Sequence, residues 1–569
     1  MRISAPGQRE EGMSEDIGVQ RWQVAVLGTG LAGSALAAIL ARQGVRVLLL
    51  DERIHPRFTV GETAIPHTSM LFRILGERYQ VPELSNLAGF EAVTSKVSKQ
   101  AGLGRSIGFV HYGGNGEQNP AHLAQISGPR QLPPEATLFR QDVDAGLFHA
   151  AIGYGATAKQ ARKITEVKLT DYGVHITTAR NEIFEAEYVV DTSGPDSALA
   201  REVGSDTGTT ELRCGARSVY THMVRAGSFD SVAGEERKSP VGWDTGTTYH
   251  LFDGGYFWTT PFHNHRQAVN LVTSVGFQVD PARFPATGDP RAEFTELLDR
   301  VPLLRQQLAD AAAVQPYRTT ETTHAAPVTV GDNWCLLGEA TGAPDGLLSR
   351  SLTCDLEMVN ALAHRLIAAA RRADYRTERF EPVQRLSAAL LNSTDTMNRM
   401  VFDALASPPL FTAVQKVITL GTMLGTFQLG QGLGQLANTG RSPLLHGREE
   451  SEYLGSYFTG HAGYAALLAK AARLAADAAA GRVTGAVAAD RIFREVRGCG
   501  FAPLPFGFAD PRARFYAPGP KEVAAVLRWS RREADPDVGA LVRQSLLNVL
   551  NPRELARATG PLKKLAGFR

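Results

Sequence analysis

Four residues near the amino terminus carry the most specific chemistry in this chain of 569 residues. In GTGLAG, Gly28, Gly30 and Gly33 stand at G-x-G-x-x-G spacing. Asp51 follows at about the 20-residue remove at which an acid accepts hydrogen bonds from a ribose. Glycines so placed let a backbone approach a pyrophosphate at a helix N-terminus, and the pattern predicts dinucleotide binding. Other candidates are sparse. His67 and His111 titrate near neutral pH and read either as acid–base groups or as structural histidines. Arg350 reads as an anion holder or as a helix-start residue paired to a nearby acid. Tyr256, Phe257, Trp258 and Phe262 form an aromatic set that suits a flat substrate pocket or a sheet core. Cys214, Cys335, Cys354 and Cys499 are scattered without ligand spacing, so no metal site is expected and a reducing cytoplasm is.

The glycines have their scaffold in WQVAVLGTGLAGSALAAILARQGVRVLLLDER. An apolar run ends in glycine, a small-residue helix follows, and a second apolar run ends in acid, which is a βαβ unit. From there to about residue 370, short β-type runs (EYVVDTSG, NLVTSVGFQV, NWCLLGEA) mix with helical stretches such as RAEFTELLDRVPLLRQQLADA. The expected fold class is α/β, with a Rossmann-type nucleotide-binding domain and an inserted mixed β-sheet region for substrate, together spanning residues 21–370. Residues 371–569 carry helix-period patterns and predict a mostly helical C-terminal region. Residues 1–20 read as a disordered tail, with Met13 as an alternative start. Lys plus Arg total 60 against 58 Asp plus Glu, and a formal charge of +2 supplies no field for nucleic acid or an anionic membrane. The most apolar stretch, LFTAVQKVITLGTMLGTFQLGQGLGQL, is interrupted by Lys416, glutamines and glycines, so no transmembrane segment and a soluble, cytoplasmic protein are expected.

Four further stretches resemble the flavoprotein family of aromatic hydroxylases and flavin-dependent halogenases, and the resemblance makes the cofactor FAD. HPRFTVGETAIPHT resembles the family's G-E-S/T-x-x-P segment at Gly61, Glu62, Thr63 and Pro66. FRQDVDAGL resembles the helix whose arginine, here Arg140, lies by the FAD. VVDTSG and LLGEATGAPDG resemble the strand-turn elements that close over the ribityl chain and pyrophosphate, with Gly338, Glu339 and Gly342 in the second. The family usually has G-D at Gly338-Glu339; glutamate keeps the acceptor with one more methylene.

The likeness is nearer to the halogenase branch, whose members read G-E-S-T-I-P-Q-T, then P-E-L, then G-V-K-R-N-F-G-F-V-Y-H. This chain reads GETAIPHT, GERYQVPEL and GLGRSIGFVHY in that order. The resemblance implies that the lysine of the third motif carries hypohalous acid from flavin to substrate, by hydrogen bond or as a haloamine. Gly104 stands at that position. Lys96 and Lys99 lie upstream and read as solvated surface residues or, with a slipped register, as replacements. The family's W-x-W-x-I-P, which keeps substrate off the flavin, resembles YFWTTP, with Tyr256 and Thr260 for Trp and Ile, and Trp258 and Pro261 retained. GLLSRSL puts Arg350 and Ser351 where halogenases show an S/T-G step that binds halide.

The three departures together imply FAD-dependent monooxygenation through a flavin C4a-hydroperoxide, with His67, Trp258 and Arg350 as the groups near the chemistry. The implied substrate is an electron-rich aromatic or natural-product intermediate, a free small molecule or one tethered to a carrier protein. No second G-x-G-x-x-G unit serves a nicotinamide, so a partner flavin reductase is expected to supply reduced FAD. A halogenase with a displaced lysine and a non-catalytic flavin-binding protein are the alternatives. The basic stretch RELARATGPLKKLAGFR reads as a docking site for an acidic carrier or as a solvated face.

Overall fold

Val24, Ala25, Val26 and Leu27 are all fully buried, so the strand Arg21–Leu27 is covered on both faces, as a central parallel strand requires. It pairs in parallel with Val47–Leu50 on one side and with Ile183–Asp191 on the other. Trp334–Leu336 extends the sheet in parallel beyond Ile183–Asp191, and the antiparallel hairpin of Ile164–Thr170 and Gly173–Thr178 also hangs from that strand. The first strand therefore lies between its successor and a strand far along the chain. Open α/β sheets bind ligands at the carboxyl ends of strands that part in this way. The structure, a computed structural model, describes residues 21–129, 132–205, 210–342, 347 and 349–550. The tail expected over residues 1–20, the basic stretch 553–569 and residues 343–346 of LLGEATGAPDG lie outside them.

A second, nine-stranded sheet stands beside the first and is mixed, as expected of the inserted region. Its central strands run Thr210–Val224, Val272–Val279, Gly255–Pro261, Gly246–Phe252, Ser106–Tyr112 and Gln118–Ser127. All these neighbours are antiparallel except Gly246–Phe252 and Ser106–Tyr112, which are parallel. Alternation sorts the side chains. Val219, Phe257, Val275 and Phe277 point to one face and join a core with Trp243, Phe294 and Leu304. The other face carries Tyr249, Tyr256 and Phe109, which pack with the C-terminal helices.

Those helices, among them Glu381–Ala404, Pro408–Thr439, Ala462–Ala479 and Gly485–Gly498, have no core of their own. Leu429, Leu433 and Leu445 belong to the cluster beneath the nucleotide sheet, and Ile65, Phe109 and Tyr256 belong to the cluster of the helices. Phe515–Tyr516 even adds an edge strand to the second sheet. Pro408–Thr439 runs unbroken for 32 residues and is long and apolar enough to cross a membrane by length and composition, yet 67% of its most apolar window is buried in the fold. Its glycines make that packing close. A Cβ at Gly421 would overlap the Tyr464 ring, and one at Gly425 would overlap the Tyr457 carbonyl oxygen and stand 3.1 Å from His67 Cε1.

Candidate active site

The three motif glycines do different work. Gly28 ends the first strand at φ +96°, and a Cβ there would sit 2.6 Å from the Thr192 carbonyl oxygen. Thr192, from VVDTSG, donates through Oγ1 to the carbonyls of Leu27 and Gly28 at 3.0 and 3.1 Å, so the two glycine-rich turns form one structure. Gly33 is closed too, since a Cβ would overlap the Gly28 carbonyl oxygen. Gly30, with φ at −63°, has nothing within 4 Å of its Cβ position. The fold needs the first and third glycines but not the second. The open space at Gly30, at the start of the helix Leu31–Arg42 that no side chain caps, is a cradle that a Cβ would invade, and a pyrophosphate fits it. Asp51 closes the neighbouring strand. It accepts from Thr29 N–H and Oγ1 at 2.6 and 2.8 Å and from Arg53 N–H at 2.8 Å, and it pairs with Arg57 at 2.6 Å. Burial pushes its carboxyl up, but Arg57 and these donors hold it below the ordinary value.

Arg140 begins the helix Arg140–Gly153 and lines a cavity between the two sheets' motif segments and the C-terminal helices. Its Nε and Nη2 bind both oxygens of Asp144, four residues on, at 2.8 and 3.0 Å. Nη1 donates to the carbonyls of Val60 and Gly61 at 2.8 and 3.1 Å, so the arginine holds the Gly61-Glu62-Thr63 segment in place. Glu62 is buried, borders the cavity, and takes His222 Nε2 on Oε1 at 2.7 Å. Gly338 and Gly342, at φ +64° and +74°, bracket a turn that brings Glu339 to the same cavity.

The cavity, of ≈ 220 Å³, has the second sheet as its floor. The sheet residues on the cavity side fall in three cross-strand rows, of which Thr247, Thr260, Tyr249, Trp258, Tyr220, Tyr256, Gln278, Ser218 and Thr320 line the cavity. Nearest Glu62 lie Thr260, Ser274 and His222 in register, with Thr247 beside them. Thr63, Thr247 and Thr260 link their hydroxyls in a chain at 2.8 and 2.9 Å. The middle row is Tyr249, Trp258, Gly276 and Tyr220. A Cβ at Gly276 would overlap the Trp258 indole, which lies across the glycine. The far row is Tyr256, Gln278, Ser218 and Thr320, in which Tyr256 donates to Gln278 Oε1 and Gln278 Nε2 donates to Ser218 Oγ at 3.1 Å. Ser387, Leu390, Leu391 and Thr394 of Glu381–Ala404 form the opposite wall, with Ser351, Cys354, Asp355 and Met358 of the helix Arg350–Arg372 at one end.

Of the aromatic set, Tyr256 and Trp258 line the cavity, Phe257 faces the opposite core, and Phe262 packs edge-on against Phe139. Two residues expected near the chemistry are not among those lining it. His67 is fully buried in the first turn of the helix Pro66–Tyr79, 3.4 Å from Glu357 and edge-on to Tyr457, because Arg350–Arg372 and Pro408–Thr439 close over that turn. Burial pushes its imidazole down. Arg350 turns away from the cavity, lying 4.3 Å over the Tyr457 ring and donating to Thr394 Oγ1 at 3.2 Å and to the Gly455 carbonyl. His111 is a core residue, bound to the Leu405 carbonyl at 3.2 Å and packed on Phe411.

Gly104 sits in the short strand Gly102–Gly104, in register with Glu135. A Cβ there would stand 3.2 Å from Ala136 C and Glu135 O. Lys96 is exposed and donates to Asn86 Oδ1 at 3.2 Å, and Lys99 is also exposed. Among the described residues that line the cavity there is no lysine. What the sequence left unseen, namely His222, Gln278, Ser218 and Thr247, belongs to strands remote from the motifs. Only the period-two alternation of those strands marks which residues face the cavity.

Comparison with known proteins agrees with this architecture. Residues 21–230 match the family model described as an FAD binding domain. The chain is 33% identical over 533 residues to tetracycline 7-halogenase of Kitasatospora aureofaciens, covering 93% of this chain and 96% of that protein. It is 36% identical over 492 residues to monodechloroaminopyrrolnitrin halogenase PrnC of Pseudomonas fluorescens, covering 86% of each. The crystal structure of halogenase PltM in complex with phloroglucinol and FAD superposes with a TM-score of 0.83 at 28% identity, over 87% of this chain and all of that one.

Proposed function

Since this chain belongs to the flavin-dependent halogenase family, we propose that it is the oxygenating variant of such an enzyme, acting on an electron-rich aromatic small molecule. The observation that carries the proposal is the cavity lining. No amine stands among the described residues there, and at Gly104, the position that the motif resemblance gives to the family's lysine, a Cβ would stand 3.2 Å from the backbone of the neighbouring strand. FAD, held at Gly28, Gly30, Gly33, Asp51, Glu62, Thr63, Arg140, Gly338, Glu339 and Gly342, supplies activated oxygen when bound and reduced. The residues of the chain do the rest. Trp258 and Tyr249 offer ring faces to a flat substrate, and Leu352, Met358 and Leu390 keep water from it. A ring hydroxyl beside Glu62 gives its proton to that carboxyl group, whose orientation His222 fixes through Oε1. The threonine chain has three protons for two internal bonds and so keeps one to donate.

Reducing equivalents come from a separate flavin reductase, and the reaction belongs to the cytoplasm. The names of the two relatives compared above contain tetracycline and monodechloroaminopyrrolnitrin, and the superposed halogenase holds phloroglucinol, whereas a 1H-pyrrole-2-carbonyl-[peptidyl-carrier protein] chlorinase is only 23% identical; the stronger likeness favours a free substrate over a carrier-bound one. Halogenation is the second reading, favoured by the full-length likeness to two halogenases. Reduced FAD, oxygen and phloroglucinol, with and without bromide, separate the two by mass spectrometry. The expected product gains oxygen in both mixtures; a brominated product in the second establishes halogenation and refutes the proposal.

A further inference from the structure

Resting on the reading that this cavity holds an aromatic substrate, we infer that Ser218 selects for a hydrogen-bond acceptor, a ring-borne carbonyl, at the end of the substrate remote from Glu62. The direction of one relay carries the inference. The Tyr256 hydroxyl donates to Gln278 Oε1, which fixes the amide so that Nε2 faces Ser218 and donates to its Oγ at 3.1 Å. A hydroxyl that accepts in this way turns its own proton elsewhere. Ser218 is 8% exposed and lines the cavity, so the relay ends in a donor at the cavity wall.

Position gives the donor its use. The far row stands two residues along the strands from Trp258 and four from Thr260, about 7 and 14 Å at ordinary strand rise. The indole lies across Gly276 between them. A ring stacked on Trp258 therefore presents one edge to Glu62 and Thr63 and the opposite substituent to Ser218. A carbonyl there completes the relay, whereas an alkyl group strands a buried donor. Ser218 touches the substrate; Gln278 and Tyr256 are positioning residues.

Calorimetric titration of the full-length, FAD-loaded, oxidised protein tests this with 3,5-dihydroxyacetophenone and 5-ethylresorcinol, which differ in the carbonyl. The wild type is expected to bind the ketone about tenfold more tightly. Ser218→Ala should bring the two to parity. Gln278→Glu accepts from both neighbours and draws the Ser218 proton inward, so it too should give parity. Equal affinities in the wild type, or a ketone preference that survives Ser218→Ala, overturns the inference. If Gln278→Glu fails to load FAD, Ser218→Ala decides alone. No turnover is involved, so the outcome is independent of whether the product is oxygenated or brominated.

Discussion

Gly30→Val and Gly33→Ala should fail for opposite reasons, and the contrast tests the cofactor site. At Gly30 the backbone is extended, with φ −63° and ψ −179°, and the Cβ position is open. Restricting the unfolded chain contributes about 0.4–1 kcal/mol of stability, and a poorer N-cap costs a similar amount, so the apoprotein should move by less than ~1 kcal/mol. The valine methyls nevertheless occupy the space a pyrophosphate would enter. At FAD one hundred times its Kd the wild type gains about 2.7 kcal/mol, and Gly30→Val should lose all of it. Gly33→Ala instead overlaps the Gly28 carbonyl and brings Cβ within 2.7 Å of Thr192 Oγ1, so helix and turn must separate. Overpacking of this kind costs ~1–3 kcal/mol, with or without FAD. Urea unfolding of both apoproteins, repeated with FAD, reads the two effects apart. FAD binding by Gly30→Val within about threefold of wild type, or a Gly33→Ala apoprotein of full stability, refutes the reasoning.

Gly276→Ala should push the Trp258 indole into the cavity, weakening phloroglucinol binding about tenfold and shifting tryptophan fluorescence with FAD still bound; unchanged binding would place the indole elsewhere. His111 and His250 are buried, and burial pushes both imidazoles down to about 3. Unfolding lets each take a proton below about 6.5, so stability present above that pH should fall as the solution is acidified towards 3, by ~1.4 kcal/mol per pH unit for each histidine. A pH series of urea midpoints, flatter in His111→Gln, checks the sign. Gly104→Lys should yield no halogenated phloroglucinol and should lower the melting temperature, because its Cβ meets the 135–136 backbone; bromination by this single variant would show that an amine there reaches the substrate.

Local rules made the nucleotide end readable. A strand, a glycine turn and a following acid lie within about thirty residues, so spacing alone predicts a backbone that approaches a pyrophosphate; that Gly28 and Gly33 close the turn while Gly30 leaves room emerges only from the structure. Family likeness carried the eye to Glu62, Thr63, Arg140 and Glu339, all of which line the cavity. His67 and Arg350 illustrate the limit. Both adjoin motif residues in sequence, and titratable groups beside a motif invite a chemical role. Yet helix geometry turns neighbours about 100° apart, and Ser351 faces the cavity while Arg350 stacks on Tyr457, a partner more than a hundred residues away. His222 was hidden by the converse circumstance. Nothing near it in sequence predicts that a middle strand of the second sheet will set it against Glu62.

The packing of Pro408–Thr439 against Pro66–Tyr79 bears on how the protein is made. A Cβ at its Gly425 would stand 3.1 Å from His67 Cε1 and one at its Gly430 3.7 Å from Met70 Cε, so the helix that continues from Gly61-Glu62-Thr63 finds its support in residues translated some 350 positions later. At ~5–20 residues per second the ribosome takes tens of seconds to deliver them. Over that interval the nascent chain carries a flavin segment without its buttress. Once Pro408–Thr439 emerges, its own partners Tyr457 and Tyr464 are still to come, and a membrane-like helix stands in water. The support of the flavin segment is thus complete only once the chain has been made past Tyr464.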